Sequence, residues 1–287
     1  MQIVTDSAAD LSAAQLEELH IHTVPLSIQL DGKTYLSGVD LQPDEFYTLL
    51  SQTESFPTTS QPSPGDFAEL YRKIALSDPD ILSIHISSGL SGTLNAARAG
   101  ASMVPEAHVT LFDSMTLSSP LGWMVQAAAY ALRKGWTVER ILDQLSQMQA
   151  KTQGLFTLDN LKYLIHGGRI SHLKGLVASV LRIKPVIGPE KINGIYATFG
   201  QEMTWKRALN RIPEVVGSMF SEGQRLRVQL LHGQNPEGVE FLREAISQKF
   251  NCQFDPVAVV APVLGAHTGP SLVGLGVGDP DVFGGLF

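Results

Sequence analysis

Ser87-Ser88-Gly89-Leu90-Ser91-Gly92-Thr93 follows the apolar run Ile81-Leu82-Ser83-Ile84-His85-Ile86 and leads into Leu94-Asn95-Ala96-Ala97-Arg98-Ala99. Strand, small-residue turn and helix in that order point backbone N–H groups and hydroxyls at one spot. The first turn of a helix has unpaired N–H donors and the positive end of the helix dipole, so that spot suits an anion. Four hydroxyls fall within these seven residues, with no lysine and no acid among them. The pattern describes a neutral hydrogen-bonding cradle for a carboxylate or phosphate. Taken alone, the stretch reads equally well as a polar turn that caps its helix.

Outward from this turn, strand and helix signals alternate through the first half. Gln2–Thr5 reads as a short strand, and Ser12-Ala13-Ala14-Gln15 as a capping box that opens a helix. Asp31-Gly32 between two apolar runs is a two-residue hairpin signal. A helix follows Pro43, and Ser63-Pro64 places an N-cap before proline at the first helical position of Phe67–Ile74. Val109–Phe112 is a strand, Leu121–Leu132 an apolar helix, and Thr137 caps a helix that runs to about Met148. Such repeated units predict a largely parallel sheet covered on both faces.

From about Thr152 the rhythm changes. A strand at Leu155–Leu158, a helix at Leu161–Ile165 stopped by Gly167-Gly168, and a helix around Leu176–Leu181 lead to a hairpin centred on Asn193-Gly194. Helices at Trp205–Phe220 and Glu237–Phe250 follow, with strands at Val228–His232 and Val257–Ala266. The expectation is an α/β protein of two domains: an N-terminal domain over 1–150 with a largely parallel sheet and flanking helices, and a second α+β domain over 151–287. The glycine-rich tail from about residue 270 is expected to fold back onto the first domain.

The chain has 287 residues, a net charge of −7 and one cysteine, Cys252. The acidic balance argues against a nucleic-acid surface, and one cysteine excludes an internal disulfide and a cysteine-based zinc site. The N-terminus lacks the pattern of a signal peptide, and no stretch is apolar for long enough to span a bilayer, so a cytoplasmic protein is expected. No phosphate-binding Gly-x-x-x-x-Gly-Lys pattern occurs, and no metal site is expected from the eight histidines.

Three hydroxyl-rich turns, Thr5-Asp6-Ser7, Thr58–Ser63 and Ser87–Thr93, are expected near the sheet edge where ligands of open α/β sheets sit. A fourth loop, Gly265-Ala266-His267-Thr268-Gly269-Pro270, places a histidine among small residues. One reading is a serine hydrolase with Ser91 as nucleophile, since Asp113 and His267 follow in triad order. Against it, the nucleophile elbow wants glycine where this chain has Thr93.

Taken in order, these pieces resemble the DegV family. The matching stretches are Val4-Thr5-Asp6-Ser7, Thr59-Ser60-Gln61-Pro62-Ser63-Pro64, Ser87–Thr93, Leu158-Asp159 to Tyr163-Leu164, Gly167-Gly168-Arg169-Ile170-Ser171, Ile183-Lys184-Pro185 and Gly265–Pro270. The resemblance implies two α/β domains with one long-chain fatty acid between them, no further cofactor, and a role as the binding subunit of a bacterial fatty-acid kinase. It implies that Thr59 and Ser91, with Ser60 and Gly92 beside them, hold the carboxylate and that His267 supports them. Arg169, Lys206 and Arg207 would dock an ATP-binding partner that makes the acyl phosphate. In relatives a basic stretch stands near Met203–Arg207. Glu202 and Trp205 interrupt it here. Burial of about fourteen methylenes would contribute up to roughly 11 kcal/mol, before losses of ligand freedom. Leu121–Leu132 and Leu176–Leu181 are the candidate tunnel walls.

Overall fold

The computed structural model describes residues 1–173 and 183–287, so the helix expected around Leu176–Leu181 lies outside the described residues. The chain begins with β1 (Gln2–Asp6), α1 (Ala13–Leu19) and β2 (Ile21–Val24). Ser12 forms the capping box with Gln15 that opens α1. Next come β3 (Ser27–Leu30) and β4 (Lys33–Leu36), joined at Asp31 and Gly32, whose φ values of 50° and 74° suit a tight hairpin. After α2 (Pro43–Gln52), the segment read as a turn at Thr58 is a strand, β5 (Thr58–Ser60), paired antiparallel to β3. Its β-branched threonines fit an extended edge strand.

α3 (Pro64–Ala75) opens on Ser63, as the Ser-Pro pair indicates, and β6 (Asp80–His85) leads to α4 (Thr93–Ala101). β7 (His108–Asp113), α5 (Ser118–Arg133) and α6 (Val138–Lys151, capped by Thr137) complete the first half. Its main sheet is wholly parallel, in the order β2-β1-β6-β7, as the alternating pattern predicts.

The second half contains β8 (Thr152–Thr157), α7 (Lys162–His166), β9 (Lys184–Pro189), β10 (Tyr196–Glu202) and α8 (Trp205–Gly217). β11 (Arg225–His232), α9 (Pro236–Ser247), β12 (Asn251–Phe254), β13 (Ala258–Val259), α10 (Pro262–Thr268) and β14 (Val273–Gly278) follow. A mixed sheet runs β10-β9-β8-β14-β11-β12, with β13 beside β11. The long strand expected at Val257–Ala266 is instead the two-residue β13 followed by α10. Pro262 decides this. It lacks the N–H that a central strand needs and its fixed φ suits the first position of a helix.

In the glycine-rich stretch, β14 is a strand in the middle of the second sheet, antiparallel to both β8 and β11, and it packs on α5 of the first half from there. Its glycines permit close packing: a Cβ on Gly276 would stand 2.2 Å from Ser119 Oγ, at the start of α5. The residues after it also reach the first half, where Phe283 meets Trp123 edge-on at 5.5 Å and Gln144 donates to the Val282 carbonyl.

α5 joins the two halves. It packs on β1 and β6 and also on β8 and β14. Every residue from Ser118 to Ala129 is buried, as expected for a helix covered on all sides. One apolar core therefore runs from Ile3 and Leu82 through Leu121 and Met124 to Phe156 and Tyr196.

Candidate functional site

In the parallel sheet the strand order reverses between β1 and β6, which opens a crevice at their carboxyl ends. Asp6, buried at the end of β1, ties the two strands together. One carboxylate oxygen accepts from the Ala8 N–H at 2.9 Å, and the other from the Ile86 N–H and His85 Nδ1, each at 2.9 Å. His85 Nε2 lies 2.7 Å from Ser83 Oγ, which lies 2.8 Å from the Tyr71 hydroxyl. This buried chain consumes the polar capacity of Asp6 and aims β6 into the Ser87–Thr93 turn.

That turn is held from three sides. The Ser87 N–H donates to the Thr116 carbonyl at 2.9 Å, and its hydroxyl donates to the Gly194 carbonyl at 2.8 Å. Asp113 accepts from the Ser88 N–H at 3.2 Å and the Met115 N–H at 3.0 Å. The second half thus meets the turn through the loop between β9 and β10. This loop is longer than a two-residue hairpin, because Glu190 accepts from the N–H groups of Ile192 and Asn193. Gly89 is required there, since a Cβ would stand 2.2 Å from the Asn193 carbonyl oxygen.

Gly92 caps α4 and offers no side chain, so the N-terminal N–H groups of the helix are satisfied differently. Ser91 Oγ accepts from the Thr93 N–H at 3.3 Å and lies 2.8 Å from Thr93 Oγ1. Gln61, just after β5, closes over Gly92; a Cβ there would stand 2.1 Å from Gln61 Oε1. β5 and the start of α4 are therefore neighbours. Thr59 pairs across from the buried Ile28, while Thr58 and Ser60 point to the opposite, exposed face. The structure brings Thr59 into the set and leaves the Ser60 hydroxyl out of it.

His267 lies in the last turn of α10, not in a loop after a strand, and its Nε2 is 2.7 Å from Thr59 Oγ1. Burial, with the Arg169 guanidinium adding to it, pushes its pKa down to about 3, so the imidazole is neutral near pH 7. When Nε2 carries the proton, it donates to Thr59 and leaves the Thr59 O–H free to donate to an anion. His267 Nδ1 has no hydrogen-bond partner among the described residues and faces Gly167, where a Cβ would stand 2.1 Å away. The Gly167-Gly168 pair, with Gly168 at φ 76°, lets the chain turn this close to the ring. Arg169 is half-buried and donates to the Gly167 carbonyl at 2.7 Å, and its charge disfavours the protonated form of His267.

Beside this set lies an apolar cavity walled by Leu117 and Pro120 from the first half and by Phe156, Tyr196, Leu264 and Leu272 from the second. Thr268, next to His267, also lines it. Its free space is about 40 Å³. Phe156 and Tyr196 meet edge-on at 5.5 Å, and burial holds the Tyr196 hydroxyl protonated.

The remaining expectations fall elsewhere. Lys206 and Arg207 stand exposed at the start of α8, and Arg207 is paired with Glu202 at 3.0 Å. No hydrogen bond links them to the Thr59–His267 set among the described residues. The hydrolase triad is not assembled: Ser91 is bonded to Thr93, His267 to Thr59, and Asp113 to backbone N–H groups. Sequence reading missed Gln61, Tyr196 and the nearness of the Arg169 charge to His267. Only the glycine pair before Arg169 hinted at a close approach.

Comparison with known proteins follows the same lines. The model of the family described as "Uncharacterised protein, DegV family" matches residues 1–278. A DegV domain-containing protein of Listeria innocua is 33% identical over 277 residues, covering 95% of this chain and 96% of its own. Among solved structures, a fatty-acid-binding DegV family protein from Thermus thermophilus superposes with a TM-score of 0.88 at 30% identity, covering 97% of this chain and 99% of its own. DegV, a fatty acid binding protein from Bacillus subtilis, gives 0.87 at 30% identity, with 97% and 98% covered. With the family model spanning nearly the whole chain and these likenesses beside it, the chain belongs to the DegV family.

Proposed function

We propose that this protein binds one long-chain fatty acid between its two halves, taken as domains that meet near residue 150. The hydroxyls of Thr59 and Ser91 and the N–H groups at the start of α4 receive the carboxylate. The acyl chain enters the cavity beside Phe156 and Tyr196. The observation that carries this reading is the 2.7 Å Thr59–His267 bond, which joins β5 to α10 next to the start of α4 and next to an apolar cavity. The fatty-acid binding named for the Thermus and Bacillus proteins supports it.

The chemistry is that of a holder. A neutral histidine and hydroxyl donors keep a carboxylate in place while one of its oxygens remains free as a nucleophile. The protein presents that oxygen, in the cytoplasm, to a separate ATP-using kinase subunit and needs no resident cofactor or metal. Arg169 supplies the nearby positive charge.

Native mass spectrometry of the purified protein tests this. The expected result is a retained mass matching one fatty acid, and weaker retention in Ser91→Ala and Thr59→Val. Leaving a bound carboxylate short of a donor costs about 1–3 kcal/mol, which is several-fold to a hundredfold in affinity. A protein that never carries a fatty acid, and whose Ser91 is labelled by a fluorophosphonate probe with ester turnover, would overturn the reading in favour of a hydrolase.

A further inference from the structure

The apolar cavity is not the largest space between the two halves. A second cavity, of about 810 Å³, opens on the other side of α5, beyond the carboxyl end of β1, and has no part in the proposed fatty-acid site. This volume is in the range of small-molecule sites, and an interface between two halves is where such sites commonly occur. Thr59, Ser91 and His267 do not line it.

Three features give the cavity a chemical character. The first is Gln126. It is only 9% exposed, yet its amide makes no hydrogen bond to any described residue, and it lines the cavity one helical turn from Trp123. The amide opens onto the cavity with its donor and acceptor both uncommitted to protein, so a polar group that enters can pair with it. The second is the pair Thr5 and Thr23, opposite each other in the β1–β2 register, whose hydroxyls have no partner among the described residues. The third is charge. The one cation lining the cavity, Arg227, is paired through Nε with Asp255 at 2.9 Å, Trp123 also donates to Asp255 at 2.8 Å, and Arg227 Nη1 keeps a donor without a partner among the described residues. The other charged groups lining the cavity, Asp6, Asp10 and Asp44, are all acids. A carboxylate or phosphate would be repelled. An uncharged molecule would not.

We propose that this second cavity is a binding site for an uncharged amphiphile that bears hydroxyl or ester oxygens, its polar end hydrogen-bonded to the Gln126 amide and its apolar part on Trp123 and the neighbouring aliphatic wall. The site is separate from the fatty-acid cavity. The partition between them is the junction where Asp10 accepts from Ser118 Oγ and, at 2.8 Å, from the Ala261 N–H. Asp10 and Ala261 face the larger cavity, and Ser118 faces the smaller one. Both ligands can therefore be held at once.

The test uses the full-length protein with 1-monooleoylglycerol and oleate as probes, read by native mass spectrometry and fluorescence titration of Trp123. The expected result is one monooleoylglycerol bound in addition to one oleate. Gln126→Leu should weaken the glyceride roughly three- to tenfold, the worth of one hydrogen bond, and leave oleate stoichiometry unchanged. Val257→Trp narrows the rim at a residue that is 38% exposed, so it should fold normally and exclude the glyceride. The proposal is overturned if monooleoylglycerol does not bind, if it displaces oleate one for one, or if its affinity ignores both substitutions. Loss of oleate binding alone would count against the fatty-acid reading and not against this site.

Discussion

Two ionisable side chains near the site carry opposite consequences for acid stability, and both follow from burial. His267 is held neutral, with its pKa lowered from 6.5 to about 3, so the unfolded chain binds a proton that the folded one refuses. Its contribution is fully present above pH 6.5 and is lost progressively as pH falls toward 3. Asp10 is the reverse. Its pKa is raised from 3.8 to about 6, chiefly by desolvation at the floor of the larger cavity, so the folded state gains stability as pH falls from 6 to 4. Over that window the two partly cancel. Thermal melts between pH 7.5 and 4 should therefore drop more steeply for Asp10→Asn than for the parent protein, and less steeply for His267→Asn. Parallel melting curves for all three proteins would show that neither group titrates as stated.

At the level of elements, glycines decide how closely strands and helices approach. In β14 a Cβ on Gly274 would stand 2.5 Å from the Leu155 carbonyl oxygen, and backbone in mid-sheet cannot step aside. Gly274→Ala should cost about 1–3 kcal/mol, seen as a lower urea midpoint with an unchanged m-value. An unaltered midpoint would mean that the sheet tolerates the extra atom. Other elements were legible in the sequence because their signals are local. Ser12, Ser63 and Thr137 cap the helices they precede, and Asp31-Gly32 turns the hairpin. Elements whose signals compete were misread. Val257–Ala266 is apolar enough for a strand, but Pro262 makes its second half a helix. Gly274–Gly278 has too little side chain to look like a strand, and becomes one because its neighbours need a thin backbone there.

For the whole molecule, the continuous core through α5 means that the Thr59–His267 set and the apolar cavity are assembled from both halves at once. The proposed function assigns phosphoryl transfer to a partner. The chain contains no phosphate-loop sequence, and no cluster of metal-binding side chains occurs among the described residues. Incubated alone with ATP and oleate, the protein should yield no acyl phosphate; added to an ATP-binding kinase subunit, it should. Arg169→Ala should reduce both lipid retention and transfer, because the half-buried guanidinium follows the Gly167-Gly168 turn against His267 and its charge acts on that ring. A loss confined to transfer would assign Arg169 to docking alone, and ATP turnover by the isolated chain would sink the division of labour.

The sequence by itself determined the alternating strand and helix order of the first half, the turn between β6 and α4, and the family. Each of these is written in a short window, as periodicity, capping residues or an ordered set of small hydroxyl-bearing turns. Tertiary structure decided which of those hydroxyls meet. Thr59 and His267 are 208 residues apart in the chain and 2.7 Å apart in space, while Ser60, next to Thr59, faces outward. A strand sends adjacent side chains to opposite faces, and which face is interior depends on the sheet and helices packed against it, which no local window contains.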